Sequence, residues 1–188
     1  MNKLRLFIAL ALIAAIALLL PGCASKTRVK SDLHISGAPD WVNKGTNILN
    51  DRNGRLFHGV GQAPEMDDQA LQISTADNRA RAEVARILTS YMDVVSDDYL
   101  SAAGKGKDAS SEQMVSQQIH NLTKVNLSGA RIIAHWRHKK TNTIYSLAEL
   151  DMKDVKKTMD TVEDMNEDLR AYISTHGENV FDKMASGQ

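Results

Sequence analysis

The sequence DDQALQISTADNRARAEVARILTS, residues 67–90, indicates how this 188-residue chain folds. Apolar side chains recur in it every three or four residues and so share one face of an α-helix: Ile73, Ala76, Ala80, Val84 and Ile87. The two alanines nearest the middle of this face let a helix lie close to a β-sheet. The other side is charged, and the pairs Asp77–Arg81 and Arg79–Glu83 have the spacing of helical ion pairs. The segment therefore predicts a helix with a sheet on one side and solvent on the other.

Strands are predicted before and after this helix. Residues 56–61 form a short strand that follows an Asn-Gly turn. Residues 91–100, with two adjacent β-branched valines, are expected to be extended. Residues 131–138 alternate between apolar and polar, and residues 144–150 return as their hairpin partner. One side of the first hairpin strand would hold Ile132, Ala134 and Trp136.

Two further helices complete the predicted fold. One spans residues 111–125 and turns Val115, Ile119 and Leu122 inward. The other spans residues 152–176, begins at Asp151 as its N-cap and ends at Gly177. The order strand, helix, strand, helix, hairpin, helix predicts an α+β fold, with helices packed on a small, mainly antiparallel β-sheet and a long C-terminal helix.

Residues 1–22 predict a signal peptide. Lys3 and Arg5 precede 15 consecutive apolar residues, which as a helix span about 22 Å, short of the roughly 30 Å hydrocarbon core of a bilayer. Leu20-Pro21-Gly22-Cys23 then resembles the lipobox of bacterial lipoproteins. The resemblance implies that Cys23 is linked to diacylglycerol, becomes the mature N-terminus and receives a further acyl chain such as palmitate. The alternative is an ordinary secreted protein in which Cys23 is a simple thiol.

Residues 23–38 are expected to form the lipidated N-terminus and a flexible tether, because they are polar and basic and lack apolar periodicity. Residues 39–188 then form a single domain. Lipoproteins kept in the inner membrane typically carry Asp after the lipidated cysteine, whereas Ala24 follows Cys23 here. The expected location is therefore the outer membrane, with the domain facing the periplasm.

Composition argues against several classes of protein. The chain has 23 Lys and Arg and 23 Asp and Glu, and a chain that begins at Cys23 lacks Lys3 and Arg5, so its net charge is 21 minus 23, or −2. This balance argues against a strongly basic nucleic-acid-binding protein. The single cysteine excludes an internal disulfide and a CxxC metal site.

No motif predicts a catalytic, metal or cofactor site. Gly59-Val60-Gly61-Gln62-Ala63-Pro64 resembles the beginning of a dinucleotide-binding fingerprint, but Pro64 occupies the place of the last glycine. Close packing of these glycines against a neighbouring element is the favoured interpretation. His135 and His138 would point to opposite faces of a strand and so would not bind one metal ion together. We expect no cofactor and no small-molecule substrate, and an enzyme with residues from distant positions is the less favoured alternative.

A heptad pattern in the predicted C-terminal helix indicates self-association. Its positions alternate in steps of three and four, and we call them the heptad seam: Met152, Val155, Met159, Val162, Asn166, Leu169 and Ile173. A single Asn at a core position sets register in coiled coils. The favoured alternative is that the heptad seam covers the chain's own sheet, with Asn166 at its margin, because three heptads are marginal for a coiled coil.

Three motifs, in chain order, resemble the LPP-twenty family of bacterial lipoproteins. They are Ser36-Gly37-Ala38-Pro39-Asp40-Trp41-Val42, Gly59-Val60-Gly61 and Ala76-Asp77-Asn78-Arg79-Ala80-Arg81-Ala82-Glu83. In that family a Pro-(Asp/Glu)-Trp sequence follows the tether, and a Gly-x-Gly strand and an alanine-rich helix come next. The resemblance implies structural roles for Pro39, Asp40, Trp41, Gly59 and Gly61 and supplies no catalytic residue.

The same resemblance implies a cell-envelope lipoprotein, in a family that includes flagellum-associated members. We therefore expect a lipid-anchored outer-membrane protein with a structural or assembly role, which binds the membrane through Cys23 and associates with copies of itself or with other envelope proteins. The alternative is a binding or regulatory module for peptidoglycan or for a partner enzyme of the periplasm. The first hypothesis predicts an oligomer, and the second predicts a monomer that sediments with cell-wall material.

Overall fold

The computed structural model describes residues 34–104, 109–127, 129–162 and 165–187. The predicted signal peptide, Cys23 and the tether up to residue 33 lie outside these residues. The described elements are α1 (Asp40–Lys44), β1 (Asn47–Asp51), β2 (Gly54–Ala63), α2 (Gln69–Ala102), α3 (Ala109–Leu127), β3 (Arg131–Arg137), β4 (Ile144–Asp151), α4 (Met152–Met159) and α5 (Glu167–Ser186). They confirm the predicted α+β class, and the burial of Val115, Ile119 and Leu122 confirms the inward face of α3.

The four strands form one sheet in the order β1-β2-β4-β3, and every neighbouring pair is antiparallel. Alternate residues of a strand face opposite sides of the sheet. We call the side of β2 that contacts α2 the inner face and the opposite side the outer face. The main core lies on the inner face, where the rings of Phe57, Tyr91 and Phe181 meet edge to face with centroids 5.0 to 6.1 Å apart.

The close approach of α2 to the sheet explains the Gly-x-Gly motif. A Cβ atom on Gly59 would overlap the backbone oxygen of Ala80, and one on Gly61 would overlap the backbone of both Ala76 and Ala80. Both alanines are fully buried. The glycines thus let a helix backbone lie directly on a strand, which confirms the favoured interpretation of this motif.

Helix α2 is longer than predicted. It begins after Asp68, whose side chain accepts hydrogen bonds from the backbone N–H groups of Ala70 and Leu71 at 2.8 and 3.0 Å. The prediction that residues 91–100 are extended is wrong, because they continue this helix to Ala102. Its buried face also continues, with Leu88, Tyr91, Met92, Val95 and Tyr99. Burial of this face outweighs the β-strand preference of the adjacent valines.

The prediction of one continuous helix over residues 152–176 is also wrong. Helix α4 ends at Met159, and α5 begins after Asn166, whose side chain accepts hydrogen bonds from the backbone N–H groups of the next turn at 3.0 and 3.1 Å. Asn166 is therefore a helix N-cap and does not set the register of a coiled coil. Gly177, predicted to end the helix, lies inside α5, where its carbonyl oxygen accepts a hydrogen bond from the Tyr91 hydroxyl at 3.0 Å.

The heptad seam lies in the chain's own core and not on its surface. Its apolar side chains are all at most 7% exposed: Met152, Val155, Met159, Val162, Leu169 and Ile173. They belong to the cluster that also contains the inward side chains of α2 and α3. The prediction that the heptad seam is a contact between copies is therefore wrong, because these side chains pack within one chain.

Strand β3 contains a bulge that was not predicted. Ile132 pairs with Ala148, but Ala134 pairs with Leu147, so Ile133 is an extra residue and is 46% exposed. Ile132 consequently faces the inner core, whereas Trp136, two residues beyond Ala134, faces outward. The prediction that these three apolar residues share one side is wrong, because a bulge reverses the alternation.

Strand β1 was also not predicted, because its sequence NILND is short and mostly polar. It pairs with β2 through a tight turn in which Gly54 has a φ of +119°. The side chain of Asp51 accepts a hydrogen bond from the backbone N–H of Asn53 at 2.7 Å. This turn supplies the sheet with its edge strand next to β2.

Candidate functional site

The outer face of the sheet is covered by the segment that enters the domain. We call residues 34–46 the strap; it contains α1 and leads into β1. At its beginning Ser36 lines the same cavity as Trp136 of β3, and at its end the Thr46 hydroxyl accepts a hydrogen bond from the backbone N–H of Val60 at 3.0 Å. The strap leaves two cavities open along its length.

The first cavity, which we call the Trp41 cavity, has a volume of about 220 Å³. The side chains that form most of its wall come from the strap and from three strands: Asp40, Trp41, Asn47, Leu49, His58 and Leu147. Pro39 precedes the first residue of α1, and Asp40 forms an ion pair with Lys44 at 3.5 Å. The Pro39-Asp40-Trp41 motif thus forms a short helix that brings an indole ring to the outer face.

The polar part of the Trp41 cavity centres on His58. Its Nε2 lies 2.9 Å from Oε2 of Glu149, which is its direct neighbour on β4, and Arg131 approaches the other carboxylate oxygen at 3.9 Å. Asn47 lies opposite His58 on β1, and its Oδ1 is buried without a hydrogen-bond partner. An unsatisfied buried acceptor costs free energy, so a ligand that donates a hydrogen bond here would relieve that cost.

This arrangement is suited to binding. An imidazole beside a carboxylate can accept or donate a proton. The residues that line the Trp41 cavity include no Ser, Thr or Cys, so the cavity wall offers no hydroxyl or thiol nucleophile. An indole ring, apolar walls and an unsatisfied acceptor are the elements of a small-molecule or partner-binding pocket.

The second cavity, which we call the hairpin cavity, has a volume of about 350 Å³ and lies between the strap and the β3–β4 turn. It is lined by Ser36, Gly37, Trp136, His138, Lys139 and Lys140. Trp136 packs against Tyr145 and His138, with ring centroids 5.4 and 5.7 Å apart. Aromatic rings and ammonium groups therefore surround one opening.

A cluster of three polar side chains lies on the inner face, where Asp77 of α2 contacts residues of β3 and β4. Nε2 of His135 and Oγ of Ser146 both contact Oδ1 of Asp77, at 2.7 and 2.6 Å. Ser146 is fully buried and donates its proton to the carboxylate, not to the imidazole, so it is not arranged as a catalytic nucleophile. Sequence reasoning missed this group because its three members meet only through the tertiary fold.

The predicted ion pairs along α2 are wrong. Asp77 is turned toward the sheet, and the guanidinium of Arg81 donates to the backbone oxygen of Ala130 at 3.4 Å. Arg79 donates to the backbone oxygen of Gln62 at 2.7 Å, while Glu83 pairs with Arg86. For Arg79 and Arg81, backbone acceptors on β2 and just before β3 replace the weak ion pairs within the helix.

A charged cluster ties α5 to the sheet. Arg55 of β2 forms ion pairs with Asp182 and Glu178 at 2.8 and 2.9 Å, and Lys156 of α4 bonds Glu178 at 2.5 Å. The hydrogen bond from Arg55 lowers the pKa of Asp182, and the hydrogen bond from Lys156 lowers that of Glu178. The hydrogen bond with Asp182 in turn raises the pKa of Arg55. All four groups serve the attachment of α4 and α5.

The structure separates the two histidines singled out by their spacing. His135 bonds Asp77, whereas Nδ1 of His138 lies 2.8 Å from the hydroxyl of Thr141 in the β3–β4 turn. Among the described residues, no group of three or more His, Cys, Asp and Glu could hold a metal ion. In the same residues, no helix combines the length and apolarity needed to cross a membrane.

Comparisons with known proteins supply no information about the site, so the outer face is a candidate because of its geometry alone. No model of a known protein family matches the chain, and no curated protein matches it in sequence. The resemblance of its three motifs to the LPP-twenty family stays a prediction.

Proposed function

We propose that this chain is an outer-membrane lipoprotein anchored by lipid on Cys23, and that its domain has a structural or assembly role in the cell envelope. The observation that carries the proposal is Pro21-Gly22-Cys23 directly after an apolar run of 15 residues that ends at Leu20, with no other cysteine in the chain. Acyl chains hold a protein on a bilayer because each buried methylene contributes about 0.8 kcal/mol. The outer face supports the proposal as a surface suited to binding an envelope partner.

Metabolic labelling with radioactive palmitate tests the anchor. The intact protein is expected to carry the label and to fractionate with the outer membrane, whereas the Cys23→Ser variant is expected to lose the label. A Ser25→Ala variant serves as the control, since it alters the same region and keeps the thiol. Label that persists in Cys23→Ser, or no label in the intact protein, would contradict the proposal.

The assembly role is tested on native protein extracted gently in detergent. Light scattering gives the mass of the assembly, and mass spectrometry identifies the proteins that co-purify. A homogeneous oligomer or a complex with envelope proteins supports the proposal, and a ring with flagellar basal-body components assigns it to the flagellum. Because the heptad seam is buried, any contact between copies has to use another surface. The exposed large apolar side chains among the described residues are Leu71, Val94, Met114 and Ile133.

The Trp41 cavity favours a second candidate function, a binding module for peptidoglycan or a partner enzyme. Its carrying observation is the buried Oδ1 of Asn47 without a donor, beside an indole ring. Such a module is expected to be a monomer that sediments with purified peptidoglycan. Trp41→Ala is expected to abolish sedimentation, while Val94→Ala, which removes an exposed side chain of α2, leaves it unchanged. Equal sedimentation of both variants would contradict binding through this cavity.

A further inference from the structure

The β3–β4 turn carries positive charge that the described fold does not neutralise. From Ile132 to Ala148 the sequence contains no Asp or Glu, and it contains three basic residues, Arg137, Lys139 and Lys140. Arg131, at the other end of β3, is paired with Glu149 at 3.9 Å. Lys139 and Lys140 are exposed and form no hydrogen bond or ion pair with the described residues. The carboxylate of Glu65 contacts this turn by accepting a hydrogen bond from the neutral side chain of Asn142, at 2.7 Å.

The same turn presents aromatic rings beside its lysines. We call the group formed by Trp136, His138, Lys139, Lys140 and Tyr145 the hairpin patch. The indole of Trp136 is half-buried and packs between Tyr145 and His138, so it is held in place on the outer face. Trp and Tyr concentrate at the boundary between lipid and water, where one end of the ring is apolar and the other polar.

The chain that leads to the predicted lipid anchor leaves the domain beside this patch. The backbone N–H of Ile35 donates to the side chain of Asn43 at 2.8 Å, which fixes the beginning of the strap to α1. Ser36 and Gly37 line the hairpin cavity together with the lysines. Ile35 lies 35 minus 23, or 12, residues after Cys23, and 12 residue steps extend to about 43 Å at most. A lipid on Cys23 therefore keeps this end of the domain near the bilayer.

We infer that the hairpin patch docks on the anionic phosphodiester headgroups of the leaflet that holds the anchor. The inference rests on the proposed function, because the anchor supplies the high local concentration that lets a few contacts suffice. The ammonium groups contact phosphates, and the rings of Trp136 and Tyr145 enter the headgroup region. Docking of the hairpin patch would fix the orientation of the domain, and with it the outer face, relative to the membrane. Each lysine near an anionic surface is expected to strengthen docking about fivefold.

Fluorescence of Trp136 tests the inference directly. The chain has two tryptophans, so Trp41→Phe leaves Trp136 as the only indole. The acylated variant is added from detergent to preformed vesicles that contain a lipid with a quencher in its headgroup region. With phosphatidylglycerol vesicles, emission is expected to shift to shorter wavelength and to be quenched. With phosphatidylcholine vesicles, or in 0.5 M NaCl, both effects are expected to be much smaller.

Two charge-reversal variants give the matched comparison. Lys139→Glu with Lys140→Glu is expected to reduce the equilibrium constant for docking at least tenfold. Lys153→Glu with Lys157→Glu makes the same change in net charge on exposed residues of α4 and is expected to leave quenching unchanged. Equal quenching of both double variants, or the same emission in both kinds of vesicle, would overturn the inference.

Separate measurements distinguish other causes of failure. Palmitate label and retention on vesicles are scored first, so that loss of the anchor contradicts the proposed function, whereas anchored protein with unchanged Trp136 emission contradicts the docking alone. Inorganic phosphate is added to the protein in detergent at constant ionic strength. A phosphate-dependent change in Trp136 emission would assign the hairpin cavity to a free anion and overturn docking on lipid.

Discussion

The inner and outer faces of the sheet are covered in different ways. On the inner face, Gly59 and Gly61 let the backbone of α2 lie on β2, and large side chains fill the remaining space. On the outer face, the strap buries Val42 and Leu147 but leaves two cavities and the unsatisfied Oδ1 of Asn47. The difference indicates that the inner layer stabilises the fold, while the outer layer can carry a binding surface.

Substitution of Gly61 would have the largest effect, because it breaks the inner face at its tightest point. In Gly61→Val the new side chain would overlap the backbone of α2, and neither element can move alone. We expect a loss of about 4 kcal/mol or more in the free energy of unfolding, or failure to fold. Urea denaturation followed by circular dichroism measures it. Gln62→Val, on the exposed next residue, is the control and is expected to cost less than about 1 kcal/mol.

Truncation of Leu169 tests the assignment of the heptad seam to the inner core. The side chain is fully buried, so Leu169→Ala is expected to lower the free energy of unfolding by about 2 to 5 kcal/mol. Leu71→Ala makes the same chemical change at a side chain that is 57% exposed and is expected to have little effect. If Leu169→Ala changed the assembly mass and left the stability of the domain intact, the seam would be a contact between copies after all.

Two asparagines sharpen the contrast within the outer layer. Asn47→Leu removes a buried acceptor that has no donor, so it is expected to be neutral or to stabilise the domain by up to about 1 kcal/mol. Asn43→Leu removes the two hydrogen bonds to the backbone of Ile35, at 2.8 and 3.4 Å, and is expected to cost about 1 kcal/mol. Thermal unfolding of both variants measures these two changes in stability. An equal loss in both would show that Asn47 is satisfied in solution.

The smallest effect concerns pH and the cluster that closes the inner layer. Because the folded state lowers the pKa of Glu178 and Asp182 from ordinary values of 4.5 and 3.8, it binds fewer protons than the unfolded chain. The cluster thus stabilises the domain fully above these ordinary values and loses its effect as pH falls through the lowered ones. Both carboxylates are well exposed, so solvent screening limits the contribution to less than about 1 kcal/mol.

Unfolding measured between pH 7 and pH 2.5 tests this dependence. Asp182→Asn is expected to flatten the acid limb of the stability profile and to lower stability at pH 7. Asp160→Asn, on an exposed residue outside the cluster, should leave the acid limb as in the parent chain. A parallel acid limb in Asp182→Asn and the parent would show that the cluster does not contribute.

Prediction from the sequence succeeded where one element repeats its own period. The first part of helix α2 shows its buried face through spacing alone, the two strands of the β3–β4 hairpin are found from their alternation, and the glycines of β2 indicate close packing. Prediction failed where a helix or strand is interrupted but the spacing of its apolar residues continues across the interruption. The steps of three and four continue across the gap between Met159 and Asn166, so the pattern cannot reveal that the helix ends there. The bulge at Ile133 is hidden for the same reason.

The candidate site was predictable only in part. The motifs select Trp41 and the two glycines of β2, but not Asn47, His58 or Glu149, which form the polar part of the Trp41 cavity. The alternation of β2 places His58 on the side opposite the glycines. Its partners come from β1 and β4, and the register between strands is a long-range property that no local pattern carries.

Local sequence predicts the lipid anchor, which stays a prediction, and it determines the α+β class and the close contact of α2 with β2, because each depends on residues near one another in the chain. Long-range packing decides the rest. It buries the heptad seam, makes Asn166 a cap, lays the strap over the outer face and brings the hairpin patch beside the end of the tether. These outcomes depend on which apolar surfaces pack together in the folded chain. The free energy gained by burying those surfaces exceeds the small conformational preferences of single segments.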